Sequence, residues 1–521
     1  MSKVLGVLGK IYTSFNPVKK VNGVLIVNGI VVYTGSSSVI EKICKDLPCI
    51  LRDLGKNVAI PGFIDAHLHL DGLGLSLNTL DLRGVRSIEE LKKRLRDFAK
   101  ERKGWIIGRG WDQELFIEKR WPTRWDLDSV VPDRPVLLVR VCGHAGVVNS
   151  KVIEMLELED KFRDNPNLDR SNGMVTGIVK EEVLSYIRNS IEFSEKELKK
   201  HLLDAQKHLL QQGVTSIGFV SVSMKMLPVI FELRYENLLN IRMRLYLEPK
   251  ALDILEHLGI RGGIGDDIIK IQGIKVFADG SLGARTAWLS APYFDDPSTS
   301  GKNAISKAEL LNIAKRCSES YLQLAVHAIG DKALDMVLDV FEAIGHDKVN
   351  RFRFRIEHAS VVRIDQIPRL SNLKAIIVAQ PHFIITDWWV TKRLGPERAQ
   401  WVYRYRSLID NNIRIALSTD SPVEPSNPWD TIYAVVTRGE LDGIDLARYT
   451  KDEKINIEEA LQLYTEGSAY AINEPRLGKL EPGYYADMAI IDRDPLEISD
   501  PRELLKINNI ATYVAGSRVY P

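Results

Sequence analysis

The sequence predicts an α/β fold, namely a (β/α)8 barrel of the TIM type with an insertion, and a small β-sandwich domain formed by both termini. Two observations lead to this prediction. Between residues 61 and 475, short apolar runs alternate with long amphipathic stretches, which is typical of parallel strands joined by crossover helices. The two chain ends instead carry short strand-like runs separated by turns.

Eight strand-like segments follow one another in the central region: VAIPGFIDAHLH, VTSIGFV, IRMRLYLE, IKIQGIKVFADG, LQLAVHAIGD, FRFRIEHAS, KAIIVAQPHF and IRIALSTD. Helical candidates lie between them, including SEKELKKHLLDAQKHLLQQ and DKALDMVLDVFEAIG. Alternation of eight strands with helices over this length fits a (β/α)8 barrel.

We place the barrel at residues 61–475, with an insertion at about 85–200, and the composite β-domain at residues 1–60 and 476–521. The insertion is marked by an irregular block rich in Trp, Pro and Arg, GWIIGRGWDQELFIEKRWPTRWDLDSVVPDRP. Near the amino end, VLIV followed by Asn-Gly and IVVY predicts a β-hairpin with a two-residue turn.

Composition excludes several classes of protein. The 521 residues include 70 Lys plus Arg and 69 Asp plus Glu, for a net charge of +1, so nucleic acid and anionic membrane are not expected partners. A hydrophobic share of 45% with 27% charged residues is typical of a globular protein. We expect a small-molecule substrate, and a homodimer as the commonest oligomeric state.

Cysteine usage and the amino terminus favour a cytoplasmic protein. The sequence has no Cys-x-x-Cys and no disulfide framework; its four cysteines are Cys44, Cys49, Cys142 and Cys317. Cys44 and Cys49 are close enough for a metal site, but no second pair follows. The first apolar stretch stops at Lys10 without a small-residue cleavage site, so no secretory signal is expected.

Polar side chains recur at predicted strand ends, which form the catalytic face of such a barrel. His67 and His69 end the first strand, and strand alternation places both imidazoles on one face. They form half of a zinc-type site or, alternatively, a pair of structural histidines. Later strands carry four more such residues: Lys275, His327, His358 and Asp420. Taken singly, each fits a core histidine, a snorkelling lysine or a helix cap, but packing alone does not explain all six.

The order His-x-His, Lys, His, His, Asp resembles the amidohydrolase superfamily of metal-dependent hydrolases, and more narrowly the amidohydrolase-3 (YtcJ-like) family. The resemblance covers nearly the whole chain. Its matching segments are PGFIDAHLHL (61–70), GRGWDQ (108–113), GHAGVVNS (143–150), KVFADGSLGARTAWL (275–289), HAIGD (327–331), RIEHAS (355–360), AQPHF (379–383), STDSPVEPSNPW (418–429) and GKLEPGYYADMAIID (478–492).

The resemblance implies a site for one or two divalent metal ions. In this family pattern His67 and His69 bind the more buried ion. His327 and His358 bind the second ion, and Asp420 ligates a metal and contacts the hydrolytic water. Zn²⁺ is the expected metal for imidazole and oxygen ligands, with iron, manganese and cobalt as alternatives.

The resemblance also implies a bridging carboxylated lysine at Lys275. A bare ammonium beside two dications is disfavoured, whereas a carbamate gives an anionic oxygen to each ion. Some relatives use a glutamate or a single metal instead. The nearest candidate, Glu248, is weaker because it lies one strand earlier.

The activity that the resemblance implies is hydrolysis of a non-peptide C–N bond of the amide, N-acyl or carbamoyl type. Metal-activated hydroxide would attack the carbonyl, with Asp420 as general acid/base that passes a proton to the leaving amine. The alternatives are an ester or lactone hydrolase on the same site and a catalytically silent binding barrel.

Substrate binding is predicted for five residues outside the ligand set: His144, Arg285, His382, Trp111 and Ser281. His144 and His382 would lie over the pocket and contact substrate or an oxyanion, or they make structural hydrogen bonds. Trp111 would line a lid or belong to a buried aromatic patch. Arg285 would clamp a substrate carboxylate or pair with Asp279.

Overall fold

The computed structural model describes residues 4–100 and 102–521. Residues 1–3 and 101, which fall in the predicted terminal domain and insertion, lie outside the described residues. The chain divides into two compact units: one runs up to Gly72 and resumes at Leu203, and the other spans Leu73–Leu202. We call these the barrel unit and the insertion unit. Within the described ranges, every helix is too short or too polar to cross a membrane.

The strands are numbered in chain order. They are β1 (Val4–Phe15), β2 (Val18–Val27), β3 (Ile30–Gly35), β4 (Ile50–Pro61), β5 (Phe63–Leu68), β6 (Leu80–Asp81), β7 (Ile106–Trp111), β8 (Val136–Arg140), β9 (Ala145–Val148), β10 (Leu168–Ser171), β11 (Met174–Lys180), β12 (Val214–Val222), β13 (Arg242–Leu247), β14 (Ile264–Gly265), β15 (Ile269–Phe277), β16 (Gln323–Ala328), β17 (Arg355–His358), β18 (Ile376–Ala379), β19 (Arg414–Leu417), β20 (Met488–Ile491), β21 (Asn509–Val514) and β22 (Ser517–Tyr520).

The α-helices are numbered in the same way. They are α1 (Ser37–Asp46), α2 (Leu70–Leu77), α3 (Ile88–Ala99), α4 (Arg124–Asp128), α5 (Ser150–Met155), α6 (Leu158–Lys161), α7 (Glu181–Asn189), α8 (Glu195–Gln211), α9 (Met226–Tyr235), α10 (Leu252–His257), α11 (Lys307–Glu319), α12 (Asp331–Ile344), α13 (His346–Arg351), α14 (Gln366–Leu373), α15 (Phe383–Thr386), α16 (Val390–Ala399), α17 (Tyr405–Asp410), α18 (Pro428–Thr437), α19 (Ala447–Thr450), α20 (Ile457–Gln462) and α21 (Ser468–Ala471).

Eight parallel strands form a nearly closed barrel in the barrel unit, in the order β5-β12-β13-β15-β16-β17-β18-β19. Each of them overlaps one of the eight segments that the sequence predicts as strands, with β12 extending two residues further, so the predicted parallel barrel is confirmed. Every residue of β5, β13 and β16 is buried. Burial on both faces is expected where crossover helices cover the outside of the barrel.

Two backbone hydrogen bonds join the first and last strands of the barrel. Beyond the end of β19, the amide of Asp420 donates to the carbonyl of His67, and their N···O distance is 2.9 Å. The amide of His69 donates to the carbonyl of Ser421 at the same distance. We call this join the β5/β19 seam. It places His67 and His69 on one side of the seam and Asp420 directly opposite them on the other side.

Both chain ends meet in one seven-stranded sheet of order β22-β21-β20-β4-β1-β2-β3. The predicted hairpin is confirmed, because Val27 of β2 pairs with Ile30 of β3 and leaves a two-residue turn. The turn residues Asn28 and Gly29 both have positive φ, as a type I′ turn requires. The predicted β-sandwich is not confirmed, since these strands join a single sheet.

Cys44, in α1, and Cys49 are linked by a disulfide bond. Neither residue therefore has a free thiol, so the two cysteines do not form the metal site that their spacing suggested. Cys142 and Cys317 carry free thiols, the first exposed and the second buried.

The insertion unit is built on its own six-stranded sheet of order β10-β11-β9-β8-β7-β6. Strand β8 shows how both faces of this sheet are used. Leu138 packs into one hydrophobic cluster, whereas Leu137 and Val139 pack into another. This alternation is the period of two that a strand buried on both faces requires. The unit therefore has its own core.

A buried ion pair connects barrel strand β13 with the segment that precedes β20. The guanidinium of Arg242 donates to both carboxylate oxygens of Asp487, at 2.6 and 3.0 Å. It also lies 4.1 Å from the ring centroid of Tyr485. Burial alone would lower the pKa of Arg242, but the Asp487 carboxylate outweighs burial and raises it. The pair fixes the terminal sheet to the barrel strands within one unit.

We predict that Asp487→Ala lowers the free energy of unfolding by about 3–5 kcal/mol, because the variant leaves the buried Arg242 without a counter-ion. Urea denaturation monitored by circular dichroism measures the change. The matched control is Glu497→Ala, whose exposed carboxylate pairs with Lys10 at 2.7 Å and should contribute less than about 1 kcal/mol. Equal stability losses in the two variants would contradict the prediction.

Candidate metal centre

The structure gathers all six predicted ligands at the carboxyl ends of the barrel strands. They line one cavity of about 380 Å³. The six are His67 in β5, His69 directly after it, Lys275 in β15, His327 in β16, His358 at the end of β17 and Asp420 just beyond β19. The (β/α)8 topology explains this, because parallel strands present their carboxyl ends on the same face of the barrel.

One carboxylate oxygen lies at the centre of the group. Asp420 Oδ1 is 3.2 Å from His67 Nε2 and 3.3 Å from His69 Nε2. One potential ligand atom from each of these residues lies within 4.8 Å of the others. Two imidazoles and a carboxylate at this separation can converge on one divalent ion.

The two other histidines stand beside this group. The ring centroid of His358 is 5.2 Å from that of His67 and 4.5 Å from that of His327. Burial lowers the pKa of His327 to about 3 and holds the pKa of His358 well below its ordinary value. Both rings are therefore neutral at physiological pH, and neutral imidazole is the form that binds metals.

Two buried polar atoms without hydrogen-bond partners in the described part of the chain indicate that a metal fits these residues. Asp420 Oδ1 and His358 Nδ1 are two of the buried side-chain atoms in the described residues that have no hydrogen-bond partner. Such atoms are costly to leave unsatisfied. A cation would satisfy both, since each offers a lone pair and each belongs to the ring of candidate ligands. The donor set of imidazole nitrogens and carboxylate oxygen therefore fits a divalent metal.

The charge of Asp420 also fits the binding of a divalent metal. Burial would raise the pKa of its carboxyl, but the His67 and His69 side chains outweigh burial and hold it well below its ordinary value. The group is therefore an anion, as a metal ligand or a proton acceptor needs to be.

Lys275 is a buried lysine that forms no ion pair with a described carboxylate. Its Nζ lies 3.4 Å from His67 Nε2 and 4.8 Å from the ring centroid of Phe277, and no described carboxylate lies within 4 Å of it. Burial lowers its pKa to about 8, although the Glu357 and Asp420 charges act in the opposite direction. A buried ammonium that contacts no carboxylate is unfavourable, so the surroundings of Lys275 fit a side chain that does not remain a bare cation.

Backbone conformation sets two of the candidate ligands apart. His358 and Asp420 have φ of 72° and 61°, in the left-handed region that residues other than glycine rarely adopt. Strain of this kind persists where the surrounding structure holds it and is concentrated at functional sites.

Glu357 and Arg355 support the site, and the sequence analysis missed both. Glu357 bonds through Oε2 to His67 Nδ1. Arg355 donates to both oxygens of Glu357, at 2.6 and 2.8 Å, and all three side chains are fully buried. Burial opposes ionisation, but the Arg355 charge overcomes it and lowers the pKa of Glu357 below its ordinary range. The carboxylate thus fixes the ring of His67 with Nε2 toward the other ligands.

Asp65 is a second residue that the sequence analysis missed. Its buried carboxylate accepts the backbone N–H and the hydroxyl of Thr419, at 3.1 and 2.6 Å, and the backbone N–H of His67 at 3.2 Å. Burial raises the pKa of Asp65 to about 7. The residue ties the end of β5 to the segment that carries Asp420.

Of the predicted substrate residues in the barrel unit, Ser281 lines the cavity. Arg285 and His382 are held by protein groups instead. Arg285 forms a two-point ion pair with Asp295, at 2.8 and 3.2 Å, so its expected alternative pairing with Asp279 is wrong. His382 Nδ1 bonds to the carboxylate of Glu424. The alternative metal bridge Glu248 pairs with Lys250 at 2.8 Å and is not among the cavity-lining residues.

Two further predicted substrate residues belong to the insertion unit. Trp111 is fully buried in a hydrophobic cluster, and its indole N–H donates to the carbonyl of Leu138 at 2.9 Å. This leaves no face of the indole for a substrate, so the buried aromatic patch is the correct alternative for Trp111. The side chain of His144 is exposed, with Nδ1 3.5 Å from Glu181, and its contact with substrate stays a prediction.

A (β/α)8 barrel with imidazoles, a carboxylate and a lysine around one cavity defines the class of metal-dependent barrel hydrolases. Comparisons with known proteins identify the family. The amidohydrolase family profile matches residues 51–520, and the chain belongs to this family.

Three relatives place the chain within the family. The "putative amidohydrolase YtcJ" of Bacillus subtilis is 32% identical over 538 residues, covering 98% of both chains. The crystal structure of an uncharacterized metal-dependent hydrolase from Pyrococcus horikoshii is similar, with a TM-score of 0.85 and 44% identity, over 95% of this chain and 99% of that one. The "N-substituted formamide deformylase" of Arthrobacter pascens is 24% identical over 522 residues, covering 95% and 94% of the two chains. The chain is therefore a hydrolase of a metal-dependent family.

We predict that Glu357→Gln weakens metal affinity by about 10–100-fold, because a neutral amide no longer fixes the ring of His67 and no longer balances Arg355. Competition with a chelating dye measures the affinity. The control is Glu319→Gln, an exposed position at the end of α11. Unchanged affinity in Glu357→Gln would show that the carboxylate does not support the site.

Proposed function

We propose that the protein hydrolyses a non-peptide C–N bond of the amide, N-acyl or carbamoyl type at a divalent metal site. The observation that carries the proposal is the convergence of His67, His69 and Asp420 within 4.8 Å, at a cavity lined by Lys275 and two more histidines. Its volume of about 380 Å³ is in the range of small-molecule sites. The relative named as an N-substituted formamide deformylase supports the amide class of bond.

Each residue has a role in this proposal. When bound, the metal supplies a hydroxide nucleophile and polarises the scissile carbonyl. His67 and His69 would hold one ion, and His327 and His358 would hold the second. The Asp420 carboxylate would accept the proton that the hydrolytic water loses and return it to the leaving nitrogen as the C–N bond breaks. The departing amine then carries the proton that stabilises it.

Zn²⁺ is the metal that we propose, since it favours imidazole with carboxylate oxygen. We propose that Lys275 is carboxylated on Nζ. The neutral amine of Lys275 would add CO₂ through a new N–C bond and lose one proton, which gives a carbamate anion whose oxygens could serve as metal ligands. The predicted cytoplasmic location and homodimeric state stay predictions.

The bond type is tested with matched substrate pairs. The protein loaded with zinc or manganese is assayed against N-acylated amines and amino acids, and against esters and lactones with the same acyl groups. Faster turnover of the amides supports the proposal. Turnover of esters alone favours an ester or lactone hydrolase. Less than a tenth of an equivalent of metal per chain after purification without chelator, with no activation by added metal, would favour a silent barrel.

We predict that His67→Ala loses both bound metal and hydrolase activity, because it removes a ligand and the contact with Asp420 Oδ1. Metal content by mass spectrometry and turnover of the best substrate are measured together. His257→Ala, at an exposed histidine that ends α10, is the control and should keep both properties. Retained turnover in His67→Ala would overturn the ligand assignment.

We predict that Lys275→Ala binds about one fewer metal ion per chain and loses most of its activity, with partial recovery in short carboxylic acids that supply the missing anionic oxygens. Lys315→Ala, at an exposed position in α11, should behave as the wild type. Two normally bound ions in Lys275→Ala would show that this residue is not a bridge.

A further inference from the structure

We propose that Asp387 is the specificity residue of this cavity and that it binds a protonated amine carried by the substrate. The inference rests on the proposed function, because it names the substrate class of the same site. Asp387 directly follows α15 and lines the cavity. Among the described lining residues, it is the only carboxylate besides Asp420.

One oxygen of Asp387 is already fixed and the other is available. The hydroxyl of Tyr403 donates to Asp387 Oδ2 at 2.7 Å. In the described part of the chain, Oδ1 has no hydrogen bond and no cation lies within 4 Å of the carboxylate. A carboxylate at a cavity wall with one free oxygen is complementary to an N–H donor, and most of all to a charged one.

The neighbouring charges do not neutralise Asp387. Arg393, which influences it electrostatically, forms an ion pair with Asp295 at 3.0 Å. Glu424 is the other charged neighbour, and it is bonded to His382. Burial raises the pKa of Asp387 to about 7, and a bound ammonium would favour the ionised carboxylate.

Tyr403 is held so that its hydroxyl stays in place. The side chain is buried, and the backbone has a φ of 53°. Its amide donates to the carbonyl of Ser360 at 2.9 Å, and its own carbonyl accepts from the buried guanidinium of Arg438 at 2.9 Å. A strained, doubly anchored tyrosine is a preorganised support for Asp387. We assign it as a positioning residue.

The size of the cavity limits the size of the substrate. The ring of Phe383 lies 6.4 Å from the ring of His358, measured between centroids. The amide of Asp387 donates to the carbonyl of Phe383 at 2.9 Å, so the backbone of Asp387 lies one helical turn beyond that of Phe383. Asp387, Phe383 and the candidate ligands line the same cavity of about 380 Å³, so one small molecule can contact both Asp387 and the metal centre.

Several of the side chains that line the cavity are aromatic. The lining side chains include Phe277, Phe383 and Trp389. Aromatic faces attract cations and accommodate an apolar body. The cavity therefore suits an amide in which a short apolar or aromatic spacer separates the scissile bond from an ammonium. A substrate with a carboxylate at the same place would be repelled by Asp387.

The inference is tested by the binding of two probes that share a benzyl group and differ in charge, and no bond is cleaved. Benzylamine, protonated at pH 7.5, and benzyl alcohol are titrated into the metal-loaded protein by calorimetry. We expect the wild type to prefer benzylamine by about 10–100-fold, the factor expected for a charge-assisted hydrogen bond. Asp387→Asn keeps the shape and the Tyr403 contact, and it should remove the preference while binding the alcohol as before.

Two further variants complete the test. Tyr403→Phe should reduce the preference severalfold without abolishing it, because the carboxylate remains but is no longer oriented. Asp410→Asn, at an exposed carboxylate that pairs with Arg406, should keep the full preference. If Asp387→Asn does not fold, judged by circular dichroism, Tyr403→Phe decides by the same ratio.

Three results would overturn the inference: no preference in the wild type, equal preference in Asp387→Asn, or full preference in Tyr403→Phe. An amine that coordinated the metal would give the second result. Because the probes have no amide bond, the outcome is independent of whether the protein cleaves C–N bonds. Amide turnover that lacks any amine preference would leave the proposed function standing and reject the role of Asp387.

Discussion

Closure of the barrel at the β5/β19 seam is the constraint on which the candidate site depends. A sheet of eight strands has two edges, and here the backbone bonds between His67 and Asp420 and between His69 and Ser421 join them. The Asp65 carboxylate adds its bonds to Thr419. Without this join, Asp420 would have no fixed position beside the two imidazoles. The geometry of the ligands is thus a consequence of how the barrel ends meet.

The candidate site also requires that the charges buried around it be balanced. The desolvation cost of burying Glu357 and Arg355 is offset because they form an ion pair with two hydrogen bonds. The same carboxylate also bonds to His67 Nδ1. The Glu357 carboxylate therefore both neutralises Arg355 and orients the ring of His67. Lys275 has no such partner, and Asp387 has only the neutral Tyr403. Both Lys275 and Asp387 lie at the cavity, where a metal or a substrate can complete the charge balance.

Much of this was predictable because strand periodicity and strand ends are local properties. His67 and His69 follow from alternation, and Lys275, His327 and His358 from their places in parallel strands. The Arg355–Glu357 pair had a signal that was not used. In FRFRIEH the charged residues alternate with apolar ones, and a barrel strand is buried on both faces, so its charges have to pair inside.

Other features had no local signal. Asp387 stands in FIITDWW, an apolar run without periodicity, and only folding brings it to Tyr403. Arg285 pairs with Asp295 and not with Asp279. The Asp279 carboxylate is already occupied, because it accepts three backbone N–H groups, from Trp288, Ile329 and Gly330. The single terminal sheet, in place of a sandwich, reflects the pairing of β20 with β4 across the whole length of the chain.

The β5/β19 seam also has a thermodynamic consequence. His67 and Asp420 lie on opposite edges of the open sheet and far apart in the chain, so an ion held by both is a reversible cross-link between them. By linkage, whatever free energy barrel closure contributes to metal affinity, bound metal returns to barrel closure. The resistance of this fold to heat or denaturant is then a function of free metal concentration, rising by mass action.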